Sequence, residues 1–190
     1  MYQPFEQQIA YFCAPALAGI KPACLFSWFK EGQPSPSLLL AQGRAAFAGT
    51  DIRLRVLREC PRRCLVLVYR EKVLHRQLTQ PAIQSLLAEY GYDAGQSPEE
   101  MLEQLQRRCE ESCGFPHEIG LFLGYPPEDV LAFAQNQGRN CKLCGHWKVY
   151  HDIEGAKKAF ARFDRCRDGL CRRLDQGRSL QQLFGCRQAV

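Results

Sequence analysis

Short apolar runs along the chain alternate with longer amphipathic stretches, a pattern typical of strands interleaved with helices. The run Cys64–Arg70 (CLVLVYR) is apolar at nearly every position, which predicts a central strand buried on both faces. Asp51–Leu57 (DIRLRVL) alternates apolar and basic residues, so we expect one of its faces to lie in water. The short Cys-Pro-Arg-Arg link between the two runs predicts a β-hairpin. Further strands are predicted at Ala23–Phe29, Ile119–Tyr125 and His146–Tyr150.

Helix-start signals stand before several of the amphipathic stretches. Ser35 and Ser97 each precede a proline, as expected for an N-cap residue followed by proline in the first turn. Ser179 and Gln182 have the spacing of a capping box. The predicted helices cover Gln3–Gly19, Pro36–Gly49, Glu71–Leu78, Gln80–Tyr90, Pro98–Cys113, Pro126–Gln137 and Asp152–Leu174, with a short helix after Ser179.

This order of elements predicts an α/β (mixed α+β) fold. It contains both a hairpin and helical crossovers, so we expect a central mixed sheet of four to five strands covered by helices, with a helical C-terminus. The length of 190 residues predicts a single domain over residues 1–190. Within it, residues 151–190 are expected to form a helical C-terminal extension packed on the rest.

Composition narrows the class of protein. Hydrophobic residues make up 46% and charged residues 24%, which is ordinary for a globular chain. No apolar run approaches the length of a membrane span, and the mildly apolar stretch 9–20 lacks a basic segment before it. We therefore expect a cytoplasmic protein with no signal peptide and no membrane partner. In a reducing compartment the eleven cysteines are expected as thiols, metal ligands or redox residues rather than disulfides.

The positive charge is concentrated at the C-terminal end. The net charge is +5, and residues 151–190 hold nine Lys and Arg against five Asp and Glu. A basic helix of this kind can meet nucleic acid or another acidic partner. A solvated helix face explains the same excess, so we do not expect nucleic-acid binding. Nothing in the pattern predicts an oligomeric state.

Two segments, FPHEIGLFLGYPPEDV at residues 115–130 and GHWKVYHD at residues 145–152, carry a family resemblance. Together with FCAPALAGIKPACLF near the N-terminus and LVYR at residues 67–70, they make the whole chain resemble a bacterial domain-of-unknown-function family. That family is marked by the first segment and by WKVYxD, and is associated with anaerobic bacteria. The resemblance implies a cytoplasmic bacterial protein and no particular activity, fold or ligand.

Cys13 and His117 are the first candidate catalytic pair. Pro15 suits the first turn of a helix, which would place Cys13 at a helix N-terminus where the dipole lowers a thiol pKa. His117 stands directly before the predicted strand at Ile119, where a histidine can act as a base. Glu118 or Tyr150 could orient its ring, as in cysteine hydrolases and transferases. The alternative is that Cys13 fills the core and His117 caps a strand edge.

The CxxC segment is the candidate metal site. Cys141 and Cys144 stand two residues apart, a spacing that can bring both thiolates to one metal ion such as zinc or iron. His146, His151 or a distant cysteine would complete the ligand set. A second CxxC pair is missing, however, and the motif precedes a predicted strand rather than opening a helix. The alternative is a β-turn with two incidental cysteines.

Lys148 and Tyr150 form the third candidate. In a strand they project to the same side as Asp152, while Trp147 and Val149 project to the other. A lysine and a phenol on one face could bind an anion or assist acid–base chemistry.

The residues therefore favour a Cys/His-centred, thiol-dependent small-molecule enzyme or binding protein. The alternatives are a metal-binding or redox accessory protein that uses the CxxC turn, and a non-catalytic interaction domain.

Overall fold

A three-stranded antiparallel sheet forms the centre of the molecule. In a computed structural model, which describes residues 5–111 and 115–185, the strands are β1 (Ala23–Phe29), β2 (Ile52–Glu59) and β3 (Arg63–Arg70). Their order is β1-β3-β2, which confirms the predicted hairpin and the central position of β3. The predicted mixed sheet of four to five strands is wrong, because over the described residues this sheet has three strands and all its pairings are antiparallel.

Nine helices surround this sheet in the described part of the chain. They are α1 (Phe5–Leu17), α2 (Pro36–Ala46), α3 (Glu71–Leu78), α4 (Pro81–Glu89), α5 (Pro98–Glu111), α6 (Ile119–Phe122), α7 (Pro127–Gln135), α8 (Ile153–Asp175) and α9 (Leu180–Phe184). The predicted caps are present: the Ser35 side chain accepts from Leu38 N, and Ser179 and Gln182 form the capping box. The fold is therefore mixed α+β with a long C-terminal helix. The residues at both ends of the chain, 1–4 and 186–190, lie outside the description.

The central strand feeds two hydrophobic cores because its side chains alternate between the faces of the sheet. Cys64, Val66 and Val68 point into a core with residues of α1, α2, α8 and α9. Leu67 and Tyr69 point into a second core with residues of α3 to α7. The sheet is thus covered by helices on both faces, as the apolar run of β3 predicted.

The run Ile119–Tyr125 is not a strand. Its first residues form the short helix α6, in which all four residues are buried. Gly120 allows this turn to pack closely on α7, since a β-carbon there would lie 2.7 Å from Val130 Cγ2. A fully apolar run has no periodicity that separates a buried helix from a buried strand, which explains the wrong prediction.

A small hairpin lies outside the main sheet. Strands β4 (Leu143–Cys144) and β5 (Lys148–Val149) pair antiparallel, and the turn between them carries His146 and Trp147. The predicted strand His146–Tyr150 is therefore shortened to two residues.

Helix α1 packs on the long helix α8. Pro15 lies inside α1 rather than at its start, and Cys13 lies within the helix, fully buried. The predicted helix N-terminal position of Cys13 is wrong, because the helix has already begun at Phe5. No helix in the described ranges is both long and apolar enough to cross a membrane.

Candidate functional site

A cavity of about 400 Å³ lies between β1, α6, α7 and the small hairpin; we call it the larger cavity to distinguish it from an adjoining smaller one described below. Its volume falls in the range of small-molecule sites, roughly 300–1,000 Å³. Most of its surface is apolar. The walls are formed by Leu25, Ile119, Leu123, Val130 and the aromatic residues Phe115, Tyr125, Phe133 and Trp147. Its polar side chains are those of His117, Asp129, Cys144 and Lys148.

Asp129 fixes the hairpin against α7. It is buried in the first turn of that helix, and its Oδ2 accepts from Trp147 Nε1 at 2.8 Å. Its Oδ1 accepts from Tyr150 N at 2.9 Å and from His151 N at 3.1 Å, and lies 3.1 Å from His151 Nδ1. Burial on its own raises the pKa of this carboxyl, but the hydrogen bonds outweigh burial and hold the pKa below its ordinary value.

Aromatic contacts continue from the hairpin to α8. The Trp147 ring stacks on Tyr125 with centroids 5.4 Å apart and meets the edge of Phe160 at 4.5 Å. Tyr125 OH donates to the carbonyl of His146 at 3.1 Å. Gly145 lies so close to α8 that a β-carbon there would be 2.2 Å from Phe160 Cε2. These contacts hold the indole in place as one wall of the larger cavity.

Three of the side chains singled out from the sequence line the larger cavity together. They are His117, Cys144 and Lys148. The His117 ring meets Phe133 edge-on at 5.2 Å, and Lys148 Nζ donates to the carbonyl of Gly138 at 2.6 Å. The predicted separation of Trp147 from Lys148 onto opposite faces is wrong, because both line this cavity. The short β5 does not impose strand alternation on Trp147, which precedes it.

Other predicted site residues lie elsewhere. Cys13 belongs to the core on the α1 face of the sheet. The Glu118 carboxylate is buried and bonded to Arg108 and to Tyr92 OH, so it ties α5 to the segment before α6. Tyr150 is buried, its hydroxyl has no hydrogen-bond partner among the described residues, and burial raises its pKa. None of the three side chains lines the larger cavity.

The two cysteines of the CxxC segment lie in different surroundings. Cys144 is exposed at the larger cavity, whereas Cys141 lies near Tyr150, whose pKa it helps to raise. His146 Nε2 is 3.1 Å from Asp164 Oδ1, and its ring packs on Phe160 and Phe163. Across residues 5–111 and 115–185, no three or more His, Cys, Asp or Glu side chains are grouped so that they could hold a metal ion.

A second cavity of about 180 Å³, the smaller cavity, shares Leu25 and Tyr125 with the larger one. It is further lined by Lys21, Cys24, His146 and Arg167, with Tyr11, Phe12, Pro15 and Phe163. The sequence arguments did not select Lys21, Cys24 or Tyr125. The sequence does contain one signal for Lys21: it is a charged residue within the otherwise apolar segment Ile20-Lys21-Pro22-Ala23.

Gly124 positions Tyr125 between the two cavities. Its φ of +72° favours glycine, and a β-carbon there would lie 2.5 Å from Pro22 Cδ. This close approach brings the Tyr125 ring over Lys21, with Nζ 4.8 Å from the ring centroid.

Comparison with known proteins places the chain in a family. A family model described as a protein of unknown function, DUF3793, matches residues 9–184. The chain belongs to the DUF3793 family. This confirms the predicted membership of a domain-of-unknown-function family, and the DUF3793 match takes in every residue that lines the two cavities. Comparisons with curated proteins and with solved structures gave no match.

Proposed function

We propose that this DUF3793 protein binds a small, mainly aromatic molecule that carries one acidic group, and that it binds it in the larger cavity. The observation that carries the proposal is the lining of that cavity: apolar and aromatic walls with a few polar groups. Such a combination is typical of small-molecule sites, where apolar contacts provide affinity and polar groups fix the orientation.

Lys148 supports an acidic group on the ligand. Its ammonium donates one hydrogen bond to Gly138 O, which leaves two N–H donors for other acceptors. Lys148 Nζ also lies 5.7 Å from the Phe133 ring centroid, so an anion bound there would sit beside an aromatic wall. His117 meets the same Phe133 ring edge-on and adds a second nitrogen donor or acceptor.

Cys144 supports a second candidate, a thiol-dependent reaction in the same cavity. Cys144 is exposed and lines the cavity together with His117. A thiol and a nearby base are the two groups that nucleophilic thiol chemistry needs. In this form of the proposal Cys144 replaces Cys13 as the reacting thiol. Loss of catalytic turnover, with ligand binding intact, in Cys144→Ser would support it once a substrate is known.

A matched pair of fluorescent dyes tests the binding proposal. Anilinonaphthalene sulfonate carries an acidic group, whereas N-phenylnaphthylamine has the same rings without it. We expect both dyes to bind, and the sulfonate to bind about tenfold more tightly, which corresponds to one charge-assisted hydrogen bond. Lys148→Met should abolish that difference and leave the neutral dye unaffected. Leu123→Trp should fill the cavity and weaken both dyes, with thermal unfolding checked for each variant.

The control is Phe29→Ser, which removes an exposed aromatic side chain that does not line the larger cavity. This variant should bind both dyes like the unchanged protein. The proposal fails if Phe29→Ser removes dye binding, or if Leu123→Trp folds normally and still binds both dyes with unchanged affinity.

A further inference from the structure

Three charged side chains are buried in the described part of the protein: Lys21, Glu118 and Asp129. The two carboxylates are satisfied, Glu118 by Arg108 and Tyr92 and Asp129 by the hairpin. Lys21 differs from both, since its side chain has no hydrogen bond and no ion pair among the described residues. Within that part of the chain, no hydrogen bond or ion pair offsets the cost of burying the Lys21 side chain, and its Nζ is not fully sealed from accessible space.

The Lys21 side chain lies beside two aromatic rings and lines the smaller cavity. Lys21 is only 7% exposed, and its Nζ lies 4.8 Å from the Tyr125 ring centroid and 5.4 Å from that of Phe163. It lines the smaller cavity, whose rim includes the exposed rings of Tyr11 and Phe12. A reagent of a few heavy atoms that enters the cavity therefore meets a primary amine.

We infer that Lys21 is a nucleophilic amine that forms an imine with a small carbonyl compound, an aldehyde or a 2-oxo acid, in the smaller cavity. The cavity of about 180 Å³ limits the partner to a molecule of a few carbon atoms. This site is separate from the binding proposed for the larger cavity and does not depend on it.

The reaction balances without an oxidant or reductant. The lone pair of neutral Nζ adds to the carbonyl carbon, and the carbonyl oxygen takes up a proton to give a carbinolamine. Loss of the nitrogen proton and departure of the hydroxyl with a second proton then form the C=N bond and release one water. The His146 imidazole lines the same cavity and can act as the proton donor to the leaving hydroxyl.

Burial of Lys21 favours the neutral amine that this addition needs, whereas the Tyr125 and Phe163 rings stabilise the charged form. Burial lowers the pKa of Lys21, and the neighbouring Cys24 and Cys13 thiols oppose that effect only in part. A desolvated lysine in an apolar pocket is a recognised way to activate an amine. Arg167, which also lines the cavity, is already paired with Asp164 at 3.0 Å and with Asp168 at 3.2 Å.

Reductive trapping on the intact, folded protein tests the inference. The protein is incubated at pH 7 with butanal or with 2-oxobutyrate and a limiting amount of cyanoborohydride, and the labelled lysine is located by peptide mapping. A lower pKa leaves a larger neutral fraction of the amine at pH 7. We therefore expect Lys21 to be labelled faster than Lys157 or Lys158, which are exposed on α8.

The two probes distinguish the two carbonyl classes. The rate at Lys21 is divided by the rate at Lys157 for the same probe, because aldehydes react faster than 2-oxo acids with any amine. A larger ratio with 2-oxobutyrate assigns the site to 2-oxo acids, and a larger ratio with butanal assigns it to aldehydes. Lys21→Met should lose the fast label with either probe, whereas Lys157→Met should keep it. The inference is overturned if, in the unchanged folded protein, both probes label the exposed lysines as fast as Lys21 or faster. That result does not require any variant to fold, and it leaves dye binding in the larger cavity as a separate question.

Discussion

At the scale of single residues, burial decides which thiols can react. Cys13 is fully buried, and burial raises the pKa of its thiol well above the ordinary value. Cys144 is exposed at the larger cavity. A thiolate is the reactive form, so a buried thiol with a raised pKa is inert until the structure opens.

Alkylation rates should follow this difference. With limiting iodoacetamide at pH 8, we expect Cys13 to be labelled about 100-fold more slowly than Cys144, since its labelling requires an opening that costs about 3 kcal/mol. Mass spectrometry of digested samples gives both rates, and Cys144→Ser should leave the slow rate at Cys13 unchanged. Labelling of Cys13 before Cys144 in the folded protein would restore Cys13 as the leading nucleophile.

Asp129 gives a stability prediction with a defined pH range. The pKa of Asp129 is lower in the folded protein than in the unfolded chain. Asp129 therefore stabilises the fold fully above the unfolded pKa of about 3.9, and this stabilisation is lost as the pH falls through the folded pKa. Asp129→Asn should lower the free energy of unfolding at pH 7 by about 3 kcal/mol, because the amide nitrogen that replaces Oδ2 cannot accept from Trp147 Nε1 and the remaining oxygen carries no charge. Urea unfolding at a series of pH values should show the difference between variant and unchanged protein shrinking below about pH 4.

The control for this experiment is Asp168→Asn, which removes an exposed carboxylate paired with Arg167 at 3.2 Å. An exposed ion pair of this kind contributes about 0.5 kcal/mol. An Asp129→Asn variant as stable at pH 7 as the control would show that Asp129 does not hold the hairpin in place.

Three residues that the sequence singled out, for other roles, line the larger cavity, and the reason is local. His117, Cys144 and Lys148 stand at the ends of elements, where side chains meet clefts, and this can be inferred from the order of apolar runs. Lys21 and Asp129 could not be selected, because their importance comes from burial by distant segments. For Lys21 these are Tyr125 and Phe163, more than a hundred residues away along the chain.

At the scale of elements, the small hairpin is held by side chains rather than by a long strand ladder. Its two paired strands have two residues each, and Lys142 N donates to Val149 O at 2.8 Å beyond them. The hairpin is held in place mainly by the hydrogen bonds to Asp129 and by the packing of its turn on α8. The predicted five-residue strand failed because HWKVY alternates like a strand, whereas its first two residues form a turn whose rings pack on Phe160 of α8, a tertiary contact that the local pattern does not show.

Gly145 provides a test of how the hairpin docks. Gly145→Ala places a β-carbon 2.2 Å from Phe160 Cε2, and Phe160 cannot move freely because it also contacts Trp147. We expect this substitution to lower the free energy of unfolding by about 2 kcal/mol, as for other overpacked sites, and to weaken dye binding.

Gly169→Ala on α8 is the matched control. A β-carbon there has no atom within 4 Å, so the helix should gain about 0.5–1 kcal/mol from the loss of a flexible glycine. Equal effects of the two substitutions in urea unfolding would contradict close docking of the hairpin on α8.

At the scale of the whole molecule, the two cores on either side of one sheet explain where the cavities lie. Leu67 and Tyr69 belong to the core on the α3–α7 side of the sheet, and the larger cavity opens where α6, α7 and the hairpin meet β1. The predicted helix layers and the central strand could be inferred from apolar patterns alone. The number of strands could not, because one apolar run became a buried helical turn and another became part of a two-residue ladder.

Locating the bound dye by amide chemical-shift mapping tests the binding proposal most directly. Anilinonaphthalene sulfonate is titrated into isotope-labelled protein, and the amide shifts of every assigned residue are followed. Binding in the larger cavity requires saturable shifts at Gly120, Val130, Gly145 and Lys148, which line it on three different elements. Shifts confined to the exposed aromatic residues Tyr11, Phe12 and Phe29, with none at the cavity, would contradict the proposal.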